Sequence, residues 1–194
     1  MCVTLTKSST AQEIIVFMSS DSTVDSQATV AIGNHLWMMN NLNVDKFQNG
    51  DPIPFAESNE DWIEAGNKKQ PAWCYYNNDP ANDEIYGKLY NGFALEDPRG
   101  IAPKGFHVPN ESEWSEIFFD KNVPEFHSSF TVQQGGYRDD KGVFSNIEKG
   151  TFFWTLPADL VVNNISRKSE FGESVTIRIF NVREDGLSIR CLRD

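Results

Sequence analysis

The sequence predicts an α+β domain with short helices early and a twisted, mainly antiparallel sheet formed largely by the C-terminal half. Three observations predict it. Helix-start signatures fall at Ser58 and at Asn110. Alternating apolar and polar runs, Ser174 to Phe180 and Leu187 to Cys191, close the chain. Clusters of Gly, Pro, Asn and Asp punctuate the rest, as turns require.

At 194 residues the chain suits a single domain, with 39% hydrophobic and 12% aromatic residues to build a core. Residues 28–194 are expected to form that domain, and residues 1–27, rich in Ser and Thr, a tail or peripheral strand around Glu13 to Met18. A net charge of -11 argues against nucleic acid, whose recognition needs clustered Lys and Arg, and against an anionic membrane surface. No apolar run is long enough to span a bilayer, so no membrane insertion is expected. Ile14 to Met18 is also too short for the core of a signal peptide.

Three cysteines leave an odd count: Cys2, Cys74 and Cys191. Their spacing and the scattered His35, His107 and His127 give a zinc site little support. Two readings stay open for Cys74 and Cys191. They form a long-range disulfide, contributing up to about 5 kcal/mol by the loop-entropy argument, or they are buried free thiols.

Taken in order, Ala28 to Met38 reads as a hairpin turning at Gly33-Asn34, with His35 at a surface or edge position. Asn49-Gly50-Asp51-Pro52 makes a turn. Ser58 then caps a short helix with acidic residues in its first turn, Trp62 and Ala65 on its apolar face, and Gly66 at its end. Pro71 to Tyr76 reads as a strand of period two, Trp73 and Tyr75 against Cys74 and Tyr76. The polar run Asn77 to Glu84 lacks the EF-hand spacing and is expected to be a solvated turn.

Tyr86 to Trp114 is the most densely specified stretch. Leu89, Tyr90, Phe93, Ala94 and Leu95 make a buried element, and Asp97 to Gly100 and Ala102 to Gly105 make turns. Asn110 caps a second helix, Glu113 completes its capping box, and Trp114, Ile117 and Phe118 form its apolar face. His107 reads as a packed or edge histidine. Beyond Pro124, Gln134-Gly135-Gly136 is expected as a tight turn or bulge, Asp140-Lys141-Gly142 as a second turn, and Gly150 to Thr155 as an aromatic strand. Glu184-Asp185-Gly186 reads as a hairpin turn between the two closing strands.

These landmarks resemble the Fibrobacter succinogenes major paralogous domain family. The matching residues are Ile32 to Asn43, Pro71 to Pro80, Tyr86 to Asn91, Ala102 to Pro109 with Glu113-Trp114, Gly135 to Arg138, and Gly186 to Cys191. The resemblance implies a C-type-lectin-like fold, related to that of the formylglycine-generating sulfatase-modifying enzymes, in an extracellular or cell-surface bacterial domain. It departs from the family pattern at Ala102, at Gly92-Phe93 and in the short segment Phe119 to Gln134, and Leu156 to Glu173 matches no family motif.

Three functions are compatible with these features. The first is a non-catalytic module for adhesion to a glycan or protein ligand. It uses late residues that can hydrogen-bond hydroxyls or stack on a sugar: Trp154, Asn163, Asn164, Arg167, Arg178, Phe180, Asn181 and Arg183. The calcium-dependent sugar motifs of true C-type lectins are missing, Val108-Pro109-Asn110 being the nearest match, so no cofactor is expected and calcium has no specific motif. The second is a structural module of a surface fibre or phage tail, with self-assembly as its signature. The third, an enzyme of the formylglycine-generating type, requires a reactive cysteine pair, and the late part of the chain has only Cys191. A non-enzyme is therefore expected.

Overall fold

The computed structural model describes residues 27–119, 133–150, 152–156, 165–168, 174–177 and 182–194. Residues 1–26, His127, Asn163, Asn164, Arg178, Phe180 and Asn181 lie outside the described residues. For Arg167 the backbone alone is described.

The chain opens with the expected hairpin. β1 (Thr29–Ile32) and β2 (His35–Met38) pair in antiparallel register, with Ile32 opposite His35 across Gly33-Asn34. Gly33 takes a positive φ of 58°, as a two-residue hairpin of this kind demands. Then follow α1 (Asn59–Asn67), β3 (Trp73–Cys74), two short 3-10 turns (Tyr76–Asn78 and Pro80–Asn82), α2 (Asp83–Tyr86), β4 (Leu89–Asn91) and α3 (Gly92–Leu95). β5 (Phe106–His107), α4 (Glu111–Phe119), β6 (Gly135–Arg138), β7 (Phe144–Ile147), β8 (Ile165–Lys168), β9 (Ser174–Ile177), β10 (Gly186–Leu187) and β11 (Leu192–Arg193) complete the order.

The fold is mixed α/β, with short helices and two antiparallel sheets. One sheet has the order β1-β2-β11-β5, the other β3-β4-β10-β6-β7, and β8 and β9 form a separate antiparallel pair. Among the described residues, β5 to β11 lie in the C-terminal half, as expected, while β1 to β4 supply four of the nine strands in the two larger sheets. The late strand β11 is a short insert between β2 and β5, and β10 joins β4 to β6. The expected hairpin at the Glu184 turn is not formed among the described strands, where β10 pairs with β4 and β6 while β9 pairs with β8. Alternation identifies strand residues but not their partners.

Side-chain alternation sorts the residues into layers. Between the sheets lies the main core, with Met38, Phe106, Val108 and Cys191 from one sheet and Trp73, Tyr90 and Leu187 from the other. On the outer face of the five-stranded sheet, Cys74, Tyr76 and Leu89 pack with Trp62 of α1. On the outer face of the four-stranded sheet, Trp114 of α4 meets Trp37 at a ring-centroid separation of 4.6 Å and Phe153 at 5.0 Å.

Both long helices start where the sequence predicts. The Ser58 hydroxyl accepts from the Asp61 N–H at 3.1 Å, and the Asp61 carboxylate accepts from the Ser58 N–H at 3.0 Å. Asn110 and Glu113 repeat the arrangement at 3.1 and 2.8 Å. The end of α1 differs from expectation. Gly66 is inside the helix, buried against Glu184, and the left-handed position falls to Lys69 at φ 55°. The glycine thus serves close packing, not termination.

Other expectations are shortened or moved. The aromatic strand at Pro71 to Tyr76 keeps two residues, because Tyr76 starts a 3-10 turn in which Asn77 and Asn78 take positive φ. Gly135-Gly136 lies inside β6, where Gly136 at φ 62° passes so close to β7 that a Cβ would sit 2.3 Å from the Ser145 carbonyl oxygen. Phe152 to Thr155 forms a single parallel bridge, Phe153 to Ser188, in place of a full strand. His35 is on β2, an inner strand of its sheet, and pairs with Glu116 at 3.1 Å. His107 is on β5, an edge strand, as expected.

A candidate binding face at the edge of the five-stranded sheet

Two of the late residues expected to bind ligand are described with their side chains. Trp154 is 1% exposed, and its indole N–H donates to the Tyr90 carbonyl at 2.6 Å. It has no face to offer a sugar; an aromatic read as a surface platform is a core residue. Arg183 forms a two-point ion pair with Glu96 at 2.6 and 3.1 Å, and its carbonyl accepts from the Gly92 N–H at 2.8 Å. The loop before β10 is thereby fastened to α3.

Cys74 and Cys191 are both free and buried, so the disulfide reading is corrected to the thiol one. They sit in different layers, Cys191 in the core between the sheets and Cys74 beneath α1. Burial raises the Cys74 thiol to about 11 against the opposing pull of Arg138, and burial raises Cys191 further still. Neither is a nucleophile at neutral pH.

The aromatic residues of β3 build a more accessible site. Trp73 pairs with Tyr90 across β4, so Trp73, Tyr75 and Lys88 share one face of the sheet. β3 is an edge strand, and residues 54–56 run along it. The Trp73 N–H donates to the Pro54 carbonyl at 3.0 Å, and the Ala56 N–H donates to the Trp73 carbonyl at 2.9 Å. This track lays Phe55 flat on Trp73, at 4.3 Å between centroids and 19° between planes. Tyr75 stands edge-on to both rings, at 5.1 Å from Trp73 and 5.4 Å from Phe55. Phe55 remains 38% exposed, an uncommon degree for a large aromatic.

The Lys88 ammonium closes the corner from the inside. It lies 4.7 Å from the Trp73 ring centre and 5.7 Å from that of Tyr75, donates to the Asn43 side-chain oxygen, and meets Asp83 at 3.4 Å. The Tyr90 hydroxyl accepts from the Val44 N–H at 2.7 Å and lies 2.7 Å from the Val44 carbonyl, which holds the Asn43 segment in place. Partial burial, then the charges of Asp83 and Asp45, raise the Tyr75 phenol above its ordinary value. It stays a neutral hydroxyl able to donate and accept. The result is two ring faces meeting at 67° beside an amide, a carboxylate and a phenol.

Among the described residues, no group of three or more His, Cys, Asp or Glu side chains is placed to hold a metal ion, and no helix is long and apolar enough to cross a membrane. The architecture is mixed α/β, with two antiparallel sheets around a common core. Residues 30–125 match the model of the Fibrobacter succinogenes major domain, and the chain belongs to that family. No curated protein and no solved structure matches the chain.

Asn43, Trp73, Tyr75 and Lys88 all fall within the matched residues, whereas the sequence reading placed the ligand in the last third. The period-two spacing of Trp73 and Tyr75 was the available signal. What was missing is the parallel track that brings Phe55 onto Trp73 from 18 residues upstream.

Proposed function

We propose that this chain is a non-catalytic ligand-binding module, acting outside the cell or on its surface, and that its ligand is a glycan. The observation that carries this reading is the exposed Phe55 ring stacked on Trp73 with Tyr75 at its edge. A sugar has an apolar C–H face and a rim of hydroxyls. The corner supplies ring faces for the first, and Asn43, Asp83 and the Tyr75 hydroxyl for the second. Two rings inclined at 67° cannot both lie flat on an extended polysaccharide surface, so the corner suits one sugar residue at a time.

Such a site binds weakly. Affinity near 1 mM corresponds to about 4 kcal/mol, and adhesion by sites of this strength depends on multivalent display. The late residues Asn163, Asn164, Arg167, Arg178, Phe180 and Asn181 are proposed as a second contact region that extends the ligand footprint. The non-catalytic reading is supported by the chemistry already engaged within the fold: His35 and His107 are held by carboxylates, and both described thiols are buried.

A glycan array followed by NMR titration of hits tests the proposal. Binding should shift the Phe55, Tyr75 and Lys88 signals, and Phe55→Ala should weaken it at least tenfold without unfolding the protein. An array without hits, or hits unaffected by Phe55→Ala and Tyr75→Ala, removes the glycan reading for this face. Concentration-dependent oligomers in light scattering, with no hits, would favour an assembly module instead.

A further inference from the structure

His107 has a carboxylate on each ring nitrogen. Nδ1 lies 2.7 Å from Asp194 Oδ1 and Nε2 lies 2.9 Å from Glu113 Oε1. A neutral imidazole carries one N–H and can satisfy one of them; the other would face a lone pair. Only the imidazolium donates to both. The three residues come from different elements: His107 from β5, Glu113 from the first turn of α4, and Asp194 from just beyond β11.

We propose that His107 is a proton-operated clasp, fastening the end of β11 to the start of α4 when charged and releasing Asp194 when neutral. The two carboxylates are not equivalent. Glu113 is 17% exposed, and its second oxygen is held by the Asn110 N–H of the capping box at 2.8 Å. Asp194 is 59% exposed and is otherwise tied through its backbone N–H to the Gly105 carbonyl at 3.0 Å. Asp194 is the partner that leaves.

The surroundings reinforce the link. α4, Glu111 to Phe119, contains Glu111, Glu113 and Glu116 and no Lys or Arg. It is set on the four-stranded sheet by Trp114, with His107–Glu113 on one flank and His35–Glu116, at 3.1 Å, on the other. From β11, Leu192 is the residue opposite His107, while Arg193 is opposite Phe106 and so points to the other side of the sheet. Burial opposes charge on the His107 ring, but the hydrogen bonds to Asp194 and Glu113 outweigh it and raise its pKa above the ordinary histidine value. The clasp therefore stabilises fully below about pH 6.5, the unfolded value, and is lost as pH rises through the raised folded value.

Side-chain nitrogen NMR on the intact chain tests this directly. At pH 6 both His107 nitrogens should carry protons, and the titration should fall above 6.5. Amide protection factors at residues 192–194 should drop several-fold across that titration. Asp194→Asn should lower the His107 titration midpoint and remove the pH dependence of protection, whereas His35→Gln should leave both in place. A His107 that is singly protonated at pH 6, or protection at residues 192–194 that does not follow its titration, overturns the clasp. Because Asp194 is exposed, its variant remains informative even if His107→Gln does not fold.

Discussion

Two cation–aromatic assemblies lie on opposite faces of the five-stranded sheet, and they do different work. On the outer face, Arg138 of β6 is wholly buried, with its guanidinium carbon 4.8 Å from the Trp62 ring centre and 4.6 Å from that of Phe144. Its terminal nitrogens reach the Ser58 carbonyl at 3.1 Å, Asn59 at 2.7 Å and Asn78 at 3.3 Å. On the inner face, Lys88 lies over Trp73 and Tyr75, but its rings continue to the surface through Phe55. A guanidinium is planar, weakly hydrated and rich in donors, so it can be sealed among aromatic faces and fixed oxygens. An ammonium is compact and strongly hydrated, and here it keeps a carboxylate and an amide beside it at the sheet edge. The same pairing of charge with rings thus pins one layer of the fold and frames an open corner on the other.

The largest expected effect is on the sealed side. Arg138→Ala should destabilise by about 3–5 kcal/mol, because it empties the space between two rings and leaves three oxygens without their donor; urea unfolding measures it. A loss below about 1 kcal/mol would mean that the box is ornamental to stability. Gly136→Ala follows at about 3 kcal/mol, combining a left-handed backbone position with overpacking against Ser145, Ile147 and Tyr76. Thermal unfolding of that variant should show a lower midpoint, with the glycan binding proposed for the Phe55 corner unchanged.

Asp185 adds a pH-dependent test of the same side. It is 5% exposed, and burial, followed by the charge of Asp140, raises its pKa to about 7. The folded state therefore holds a proton that the unfolded state releases near pH 4, and stability falls as pH rises from about 4 to 7. Asp185→Asn should flatten that slope and stabilise by about 2 kcal/mol at pH 8.5, with little change at pH 4. Denaturation at both pH values decides it. The smallest effect is expected at the open corner: Phe55→Ala should cost about 1 kcal/mol or less of stability, since its ring is already partly in water. A much larger loss would make Phe55 a core residue and weaken its proposed role in binding.

Local chemistry made several of these elements legible beforehand. The Gly33-Asn34 hairpin, the Ser58 and Asn110 caps and the Asp140 to Gly142 turn are specified by residues within a few positions of one another, so sequence spacing suffices. Asn91 shows where that ends. Its position after Tyr90 marks the family motif, but its work spans two segments: its side-chain oxygen accepts from the Ala72 and Ala94 N–H groups at 3.0 and 2.9 Å, and its amide donates to the Gln70 carbonyl at 2.8 Å. Ser188 and Arg190 mislead in the same way. Alternation would place both on a polar face, yet both are fully buried, with Arg190 donating to Asn41 at 2.6 Å and to Gln133. Burial holds that arginine down to about 9.

By itself, then, the order of residues determined the family, the mixed α/β character, both long helix starts and the Gly33-Asn34 and Asp140 to Gly142 turns, because each depends on backbone preferences and on partners a few residues away. Tertiary structure alone decided which strands pair, that Cys74 and Cys191 lie in separate layers, that Trp154 belongs to the core, and that Phe55, Tyr75 and Lys88 meet at an edge. Most of those outcomes depend on contacts between residues 13 to 100 or more positions apart, whose free energy appears only when the two sheets close on a common core.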